Sequence, residues 1–110
     1  MTKNEFLAYI AGFLDGEGSI SLKKERGRWV LPAIQIRNVY PEPLQKIQKV
    51  FGGSLYLRKG EKEKWRDTFE WEITRWKGCL NLLEKIYPYL IIKKKQAAII
   101  IRLAKKVQMK

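Results

Sequence analysis

Within 110 residues, 23 lysines and arginines face 11 aspartates and glutamates, giving a net charge of +12, with no histidine and one cysteine. That length holds one domain (1–110) with a modest core, and the absent histidine removes imidazole bases, most zinc sites and every Ser-His or Cys-His nucleophile. The lone Cys79 excludes an intrachain disulfide, and the basic excess points to a polyanionic partner, nucleic acid before membrane, with a Lys- and Glu-rich thermophile-like surface as the competing explanation.

Thr2-Lys3-Asn4-Glu5 has the form of a capping box, and Phe6, Leu7, Ile10, Phe13 and Leu14 follow at helical spacing. Ala8, Gly12 and Gly16 recur every four residues and leave one helical face almost without side chains. A second helix can approach such a face backbone to backbone; close packing inside one subunit is the alternative. Asp15-Gly16-Glu17-Gly18 ends the helix with two carboxylates, and its glycines predict a tight exit. The period then switches to two. Ser19, Ser21 and Lys23 alternate with Ile20 and Leu22 in a half-buried strand, before a charged turn at Lys24-Glu25-Arg26-Gly27-Arg28. A second strand runs from Trp29 to Asn38, where Ile34 and Ile36 alternate with Gln35 and Arg37; Pro32 inside it predicts an edge or a bulge.

Pro41-Glu42-Pro43 opens a second helix with the apolar stripe Leu44, Ile47, Val50 and Phe51, stopped by Gly52-Gly53. A second hairpin follows, with Ser54 to Lys59, a charged turn at Gly60 to Lys64, and Trp65 to Arg75. Leu55 and Leu57 face away from Tyr56 and Arg58, and Phe69, Trp71 and Ile73 away from Thr68, Glu70 and Glu72. Two helices end the chain: Trp76 to Tyr87, stopped at Pro88 and carrying a core Cys79, and Lys94 to about Lys106.

The order αββαββαα predicts an α+β fold, a four-stranded antiparallel sheet with helices on one face. Ile20, Leu22, Ile34, Ile36, Leu55 and Leu57 are expected to face the helices, and Ser19, Ser21, Lys23, Gln35, Arg37, Tyr56 and Arg58 the other side. Arginine matches guanine edges, glutamine matches adenine and lysine pairs with phosphate, so this face is equipped to read a DNA groove, unless it is simply a solvated sheet face. Glu70 and Glu72 fit either reading, accepting from cytosine or offsetting local charge.

A single carboxylate such as Glu17 at a helix exit is most often structural or solvated. Its setting beside a small-residue stripe changes that weighting. Two copies packed stripe to stripe bring both helix ends to one axis, and two adjacent Glu17 carboxylates then repel unless divalent cations bridge them. Oxygen ligands without histidine suit Mg²⁺, with Mn²⁺ and Ca²⁺ as substitutes. Paired ions on a phosphodiester activate water and stabilise the leaving 3′ oxygen, so one motif per chain argues for a homodimer. Asp15 is assigned to structure, capping or bracing the motif turn.

Ile10-Ala11-Gly12-Phe13-Leu14-Asp15-Gly16-Glu17-Gly18 resembles the nine-residue signature of the LAGLIDADG homing endonucleases, and the element order over nearly the whole chain is similar to that of the single-motif members. The resemblance implies a homodimeric, Mg²⁺-dependent, site-specific DNA endonuclease. Two saddle-like sheets would read a long, roughly palindromic duplex in adjacent major grooves, and both strands would be cut across the central minor groove with 3′ overhangs. It also implies that Glu17, where the consensus has aspartate, binds the metal with the Gly16 carbonyl, Ca²⁺ supporting binding without cleavage. Asn38 falls where a polar residue orients the water network, although glutamine is the residue expected there. Lys93, after Pro88-Tyr89-Leu90-Ile91-Ile92, falls where a lysine stabilises charge at the phosphate, with Lys94 and Lys95 as competitors.

Three other readings share these features: a maturase that binds intron RNA, a cleavage-dead DNA-binding protein, and a basic RNA-protein scaffold. Neither a signal peptide nor an apolar run of spanning length is evident, and Lys93-Lys94-Lys95 interrupts the longest candidate region. With the single cysteine, this predicts an intracellular protein of cytoplasm, nucleoid or organelle, without a membrane partner.

Overall fold

A computed structural model describes residues 1–25, 27, 29–60 and 66–108 of the chain. The capping box forms as predicted: Thr2 Oγ1 accepts the Glu5 amide at 3.1 Å, and Glu5 Oε1 accepts the Thr2 amide at 2.7 Å. It starts α1 (Lys3–Glu17), which is followed by β1 (Gly18–Glu25), β2 (Trp29–Asn38), α2 (Pro41–Phe51), β3 (Ser54–Arg58) and β4 (Thr68–Thr74). The chain continues through α3 (Trp76–Ile86), a single 3-10 turn (Tyr87–Tyr89) and α4 (Lys94–Gln108). Lys24 and Glu25, expected in a turn, belong to β1, while Arg26 and Arg28 lie outside the described residues, as do Glu61 to Lys64 of the second turn and Trp65.

The four strands form one antiparallel sheet in the order β1-β2-β4-β3. Pro32 therefore sits in an inner strand, contrary to the edge expected from its missing N–H. The register supplies the reason: β2 pairs with β4 only from Ala33 onward, whereas Pro32 faces Leu22 of β1. At Pro32 itself the sheet is two strands wide, and one side of β2 is locally an edge.

Ile10, Ala11 and Leu14 of α1, Leu44 and Ile47 of α2, and Leu82, Leu83 and Ile86 of α3 pack onto Ile34, Ile36, Trp71 and Ile73 of the two inner strands. Trp71 is fully buried and donates its indole N–H to the Gly52 carbonyl at 2.8 Å. Gly52 and Gly53, with φ of +80° and +92°, turn α2 into β3 beside that ring. Three residues depart from the predicted core. Leu22 and Leu57 are 41% and 51% exposed, Leu22 beside a cavity it shares with Gln96, Ile99 and Ile100 of α4, and Val50 is 60% exposed. Cys79 is buried as expected; burial and the Glu72 charge push its thiol up to about 12. No helix of the described residues is long and apolar enough to cross a membrane.

Candidate functional site

The motif closes α1 and passes directly into β1. Its glycines act here by packing, not by a left-handed turn. Gly16 is helical and Gly18 extended, with φ of −102°. A Cβ on Gly18 would stand 2.4 Å from Leu14 Cδ1 and 2.9 Å from the Gln35 carbonyl oxygen, so only glycine lets the end of α1 lie this close to β2. Glu17 is the last helical residue and is exposed. Its Oε2 accepts a hydrogen bond from Asn38 Nδ2 at 2.7 Å. The Tyr40 amide donates to Asn38 Oδ1 at 2.9 Å, and because that amide can only donate, it fixes which end of Asn38 faces Glu17. Residues 21 apart in sequence thus meet at the exit of the motif.

Asp15 is indeed structural, but it braces a distant segment instead of the motif turn. Oδ2 accepts the Ile91 amide at 2.7 Å, and Oδ1 accepts the Lys93 amide at 2.9 Å. Burial pushes the Asp15 carboxyl up, and the amides of Ile91, Lys93 and Ile92 with the Lys93 ammonium outweigh it, holding the group below the usual carboxylate range. Lys93 in turn donates its ammonium to the Asp15 carbonyl at 2.9 Å. The three lysines are thereby separated. Lys93 lies against the end of α1, Lys94 covers the Tyr87 ring at 4.9 Å from its centroid, and Lys95 is exposed.

Ala8, Gly12 and Gly16 all lie on the exposed side of α1, opposite Leu7, Ala11 and Leu14. A Cβ built on Gly12 or Gly16 meets nothing within 4 Å. Among the described residues, no helix packs on the Gly12 and Gly16 part of the stripe, which removes the intrachain alternative there. Among the described residues, no group of three or more His, Cys, Asp or Glu side chains is placed to hold an ion. Of the two motif carboxylates, Glu17 is the exposed one at this end of α1.

The open face of the sheet holds Ser19, Ser21 and Lys23 of β1, Gln35 and Arg37 of β2, Glu70 and Glu72 of β4, and Tyr56 and Arg58 of β3. Two carboxylates organise these side chains. Glu72 accepts from Lys23 Nζ at 3.1 Å and from Gln35 Nε2, and Gln35 Oε1 accepts from Ser19 Oγ at 3.5 Å. Glu70 accepts from Arg37 at 2.7 Å and from Arg58 at 2.9 Å, one arginine on each oxygen. Glu70 is thus committed to its two arginines and unsuited to accept from cytosine. Burial pushes its carboxyl up and the two guanidiniums more than reverse this, so that it lies below the ordinary carboxylate range. The sequence placed Glu70 and Glu72 on this face, but the diagonal reach of Arg58 from β3 across to Glu70 emerges only with the strand register.

The family model described as LAGLIDADG endonuclease matches residues 10–102. Among solved structures, the homing endonuclease I-CvuI in complex with its target in the presence of Ca is 25% identical, with a TM-score of 0.79 over 94% of this chain and 68% of that one. A second I-CvuI structure, with the I-CreI target and Mg and its DNA not cleaved, is 25% identical, with a TM-score of 0.76 over 96% and 69%. The archaeal intron-encoded homing endonuclease I-Vdi141I, complexed with DNA, is 24% identical, with a TM-score of 0.74 over 96% and 70%, a likeness of fold. The curated proteins gave no match.

Proposed function

This chain belongs to the LAGLIDADG endonuclease family, and from that premise we propose that it is a site-specific DNA endonuclease acting as a homodimer with a divalent metal ion. The observation that carries this reading is the exposed Ala8, Gly12 and Gly16 stripe, which runs along α1 and ends at Glu17. Two copies joined along it bring both Glu17 carboxylates to one axis, where each chain contributes half of a site.

Glu17 and the Gly16 carbonyl would hold the ion, Mg²⁺ by the hardness of these oxygens, with Mn²⁺ as a substitute. When bound, it supplies a lowered water pKa and charge stabilisation at the leaving 3′ oxygen. Asn38 holds the Glu17 carboxylate by its amide. Lys93, fixed against the end of α1, offers a cation to the phosphate. Ser19, Ser21, Lys23, Gln35, Arg37, Tyr56 and Arg58 face the duplex from the open side of the sheet. Ser19 follows Glu17 at the start of β1 and Arg37 precedes Asn38 at the end of β2, which supports recognition and cutting on one surface.

A cleavage assay on a randomised duplex library in Mg²⁺, wild type beside Glu17→Gln and each repeated in Ca²⁺, tests the reading. A library is needed because a single duplex can bind and stay intact, as the I-CvuI structure with the I-CreI target in Mg shows for that protein. Cuts at one near-palindromic site by the wild type alone, leaving 3′ overhangs, are expected. Tight binding without cuts in Mg²⁺ would replace the enzyme by a DNA-binding protein that does not cleave.

A further inference from the structure

Glu70 is the one charged residue among the described residues that is buried, at 3% exposure, yet it lies on the open face of the sheet, away from the apolar core. What covers it is a pair of arginines. β4 runs between β2 and β3, so Arg37 stands directly across from Glu70 on one side and Arg58 diagonally on the other. Each donates through one terminal nitrogen, and both side chains stay 54% exposed. A guanidinium carries five N–H donors in a rigid plane, so the outer edge of each remains able to meet a base.

A negative charge beneath a basic binding face weakens attraction to phosphate, and desolvating it is costly unless pairing compensates. Both costs are understandable if Glu70 determines where the arginines point. A long, mobile arginine loses rotamer freedom when it binds, whereas one held in place beforehand loses less and meets one base pair in one register. Glu72 is more open, at 15% side-chain exposure, and its partners are the Lys23 ammonium and the neutral Gln35. It lacks the double guanidinium grip.

We propose that Glu70 is a positioning residue for sequence recognition, which holds Arg37 and Arg58 in one frame so that their outer edges discriminate base pairs at fixed spacing. The inference rests on the reading of this chain as a site-specific duplex-binding nuclease.

The test is selection of bound duplexes from a randomised library in Ca²⁺, with wild type, Glu70→Gln and Glu70→Asp. Arg37→Gln and Arg58→Gln, selected in parallel, identify the base pairs each arginine reads. A bidentate arginine contact discriminates by about tenfold or more, and Glu70→Gln should lower the preference at those base pairs by about threefold or more. Preferences elsewhere should hold, and binding to random duplex should stay level or strengthen with the loss of a negative charge. Glu70→Asp, which keeps the charge but shortens the reach, should fall between. An unchanged preference profile in a folded Glu70→Gln overturns the proposal and leaves the nuclease reading intact, as does a uniform loss at all positions. A wild type that selects no duplex overturns both. Should Glu70→Gln fail to fold, Glu70→Asp decides alone: a wild-type profile in it overturns the positioning role. Nitrogen NMR of the arginine side chains adds a measure independent of DNA. Slow guanidinium rotation of Arg37 and Arg58 in the wild type, faster in the variant, is the expected result; equal rates in both overturn the clamp.

Discussion

Asp15 and Lys93 hold one another twice: the Asp15 carboxylate accepts the Lys93 amide at 2.9 Å, and the Lys93 ammonium donates to the Asp15 carbonyl at 2.9 Å. The pair is 78 residues apart, so it ties the end of α1 to the segment entering α4. Lys93 thereby acquires a fixed place beside the motif that its position at a loop would not provide. The two motif carboxylates divide the work. Asp15 spends its oxygens on backbone amides, and Glu17, two residues on, is exposed.

Replacing Asp15 by Asn leaves one acceptor for two amides and removes the charge. The variant should lose about 1–2 kcal/mol near neutral pH, measured by urea unfolding. The sign with pH follows from the lowered carboxyl of Asp15. Folded protein binds this proton less readily than unfolded chain, so the contribution is complete above the ordinary carboxylate range and disappears as pH falls through the lowered value. Glu70 adds a slope of the same sign. Asp15→Asn should therefore flatten part of the acid-side loss of stability, and an acid profile parallel to wild type would contradict the assignment.

Lys93 and Lys94 should separate by what they lose. On the proposed function, Lys93→Ala should slow cutting by about a hundredfold, as for removal of a preorganised donor to developing charge. Duplex affinity should change little. Lys94→Ala should cut normally while losing about 0.5–1 kcal/mol of stability from its contact with the Tyr87 ring. Single-turnover cleavage and thermal melts of both variants decide between Lys93 and its neighbour as the phosphate contact.

The element order and the sheet face were legible because both rest on local periods: α1 through its capping box and 3.6-residue spacing, the strands through alternation of residues such as Ile34, Gln35, Ile36 and Arg37. The misjudged residues depend on what lies beyond the segment. Leu57 alternates as a core residue should, but near the end of β3 it is 51% exposed. Pro32 signals an edge correctly for its own position, while the strand that contains it is an inner one. Within the site, Glu17 stood out by its place beside the small-residue stripe, whereas Lys93 was singled out only by the resemblance. The Asp15 contacts with residues 91 and 93, and the gathering of Arg37 and Arg58 on Glu70, are products of tertiary register that no local pattern encodes.

The stripe on α1 makes a prediction about assembly. Gly12 faces open space within its own chain, so Gly12→Leu should leave the fold intact and favour the helix by up to about 1 kcal/mol. The same leucine would stand between two α1 helices packed backbone to backbone. Sedimentation equilibrium should change from a particle of twice 13.0 kDa to one of 13.0 kDa. The concentration dependence of the melting temperature should vanish with the dimer. A Gly12→Leu dimer of wild-type affinity would place the interface elsewhere.

Gly18 should be the least replaceable glycine of the motif, for a steric reason. A methyl group there meets Leu14 Cδ1 at 2.4 Å, which can swing aside, and the Gln35 carbonyl oxygen at 2.9 Å, which cannot. Gln35 is paired with Ser19 on one side and Glu72 on the other, so β2 has no free direction in which to yield. The strain falls instead on the end of α1, where Glu17 meets Asn38. Gly18→Ala should cost about 1–3 kcal/mol, in the range of overpacked cores, and should slow cutting by displacing Glu17. In the Gly12→Leu background, where the contact between α1 helices is already lost, Gly16→Ala is the control for folding, since nothing lies within 4 Å of its added methyl in its own chain and helical alanine is favoured over glycine by about 0.5–1 kcal/mol. Urea melts of the two variants, each against its own parent, should move in opposite directions. An equal shift in both would mean that the approach of α1 to β2 relaxes without cost.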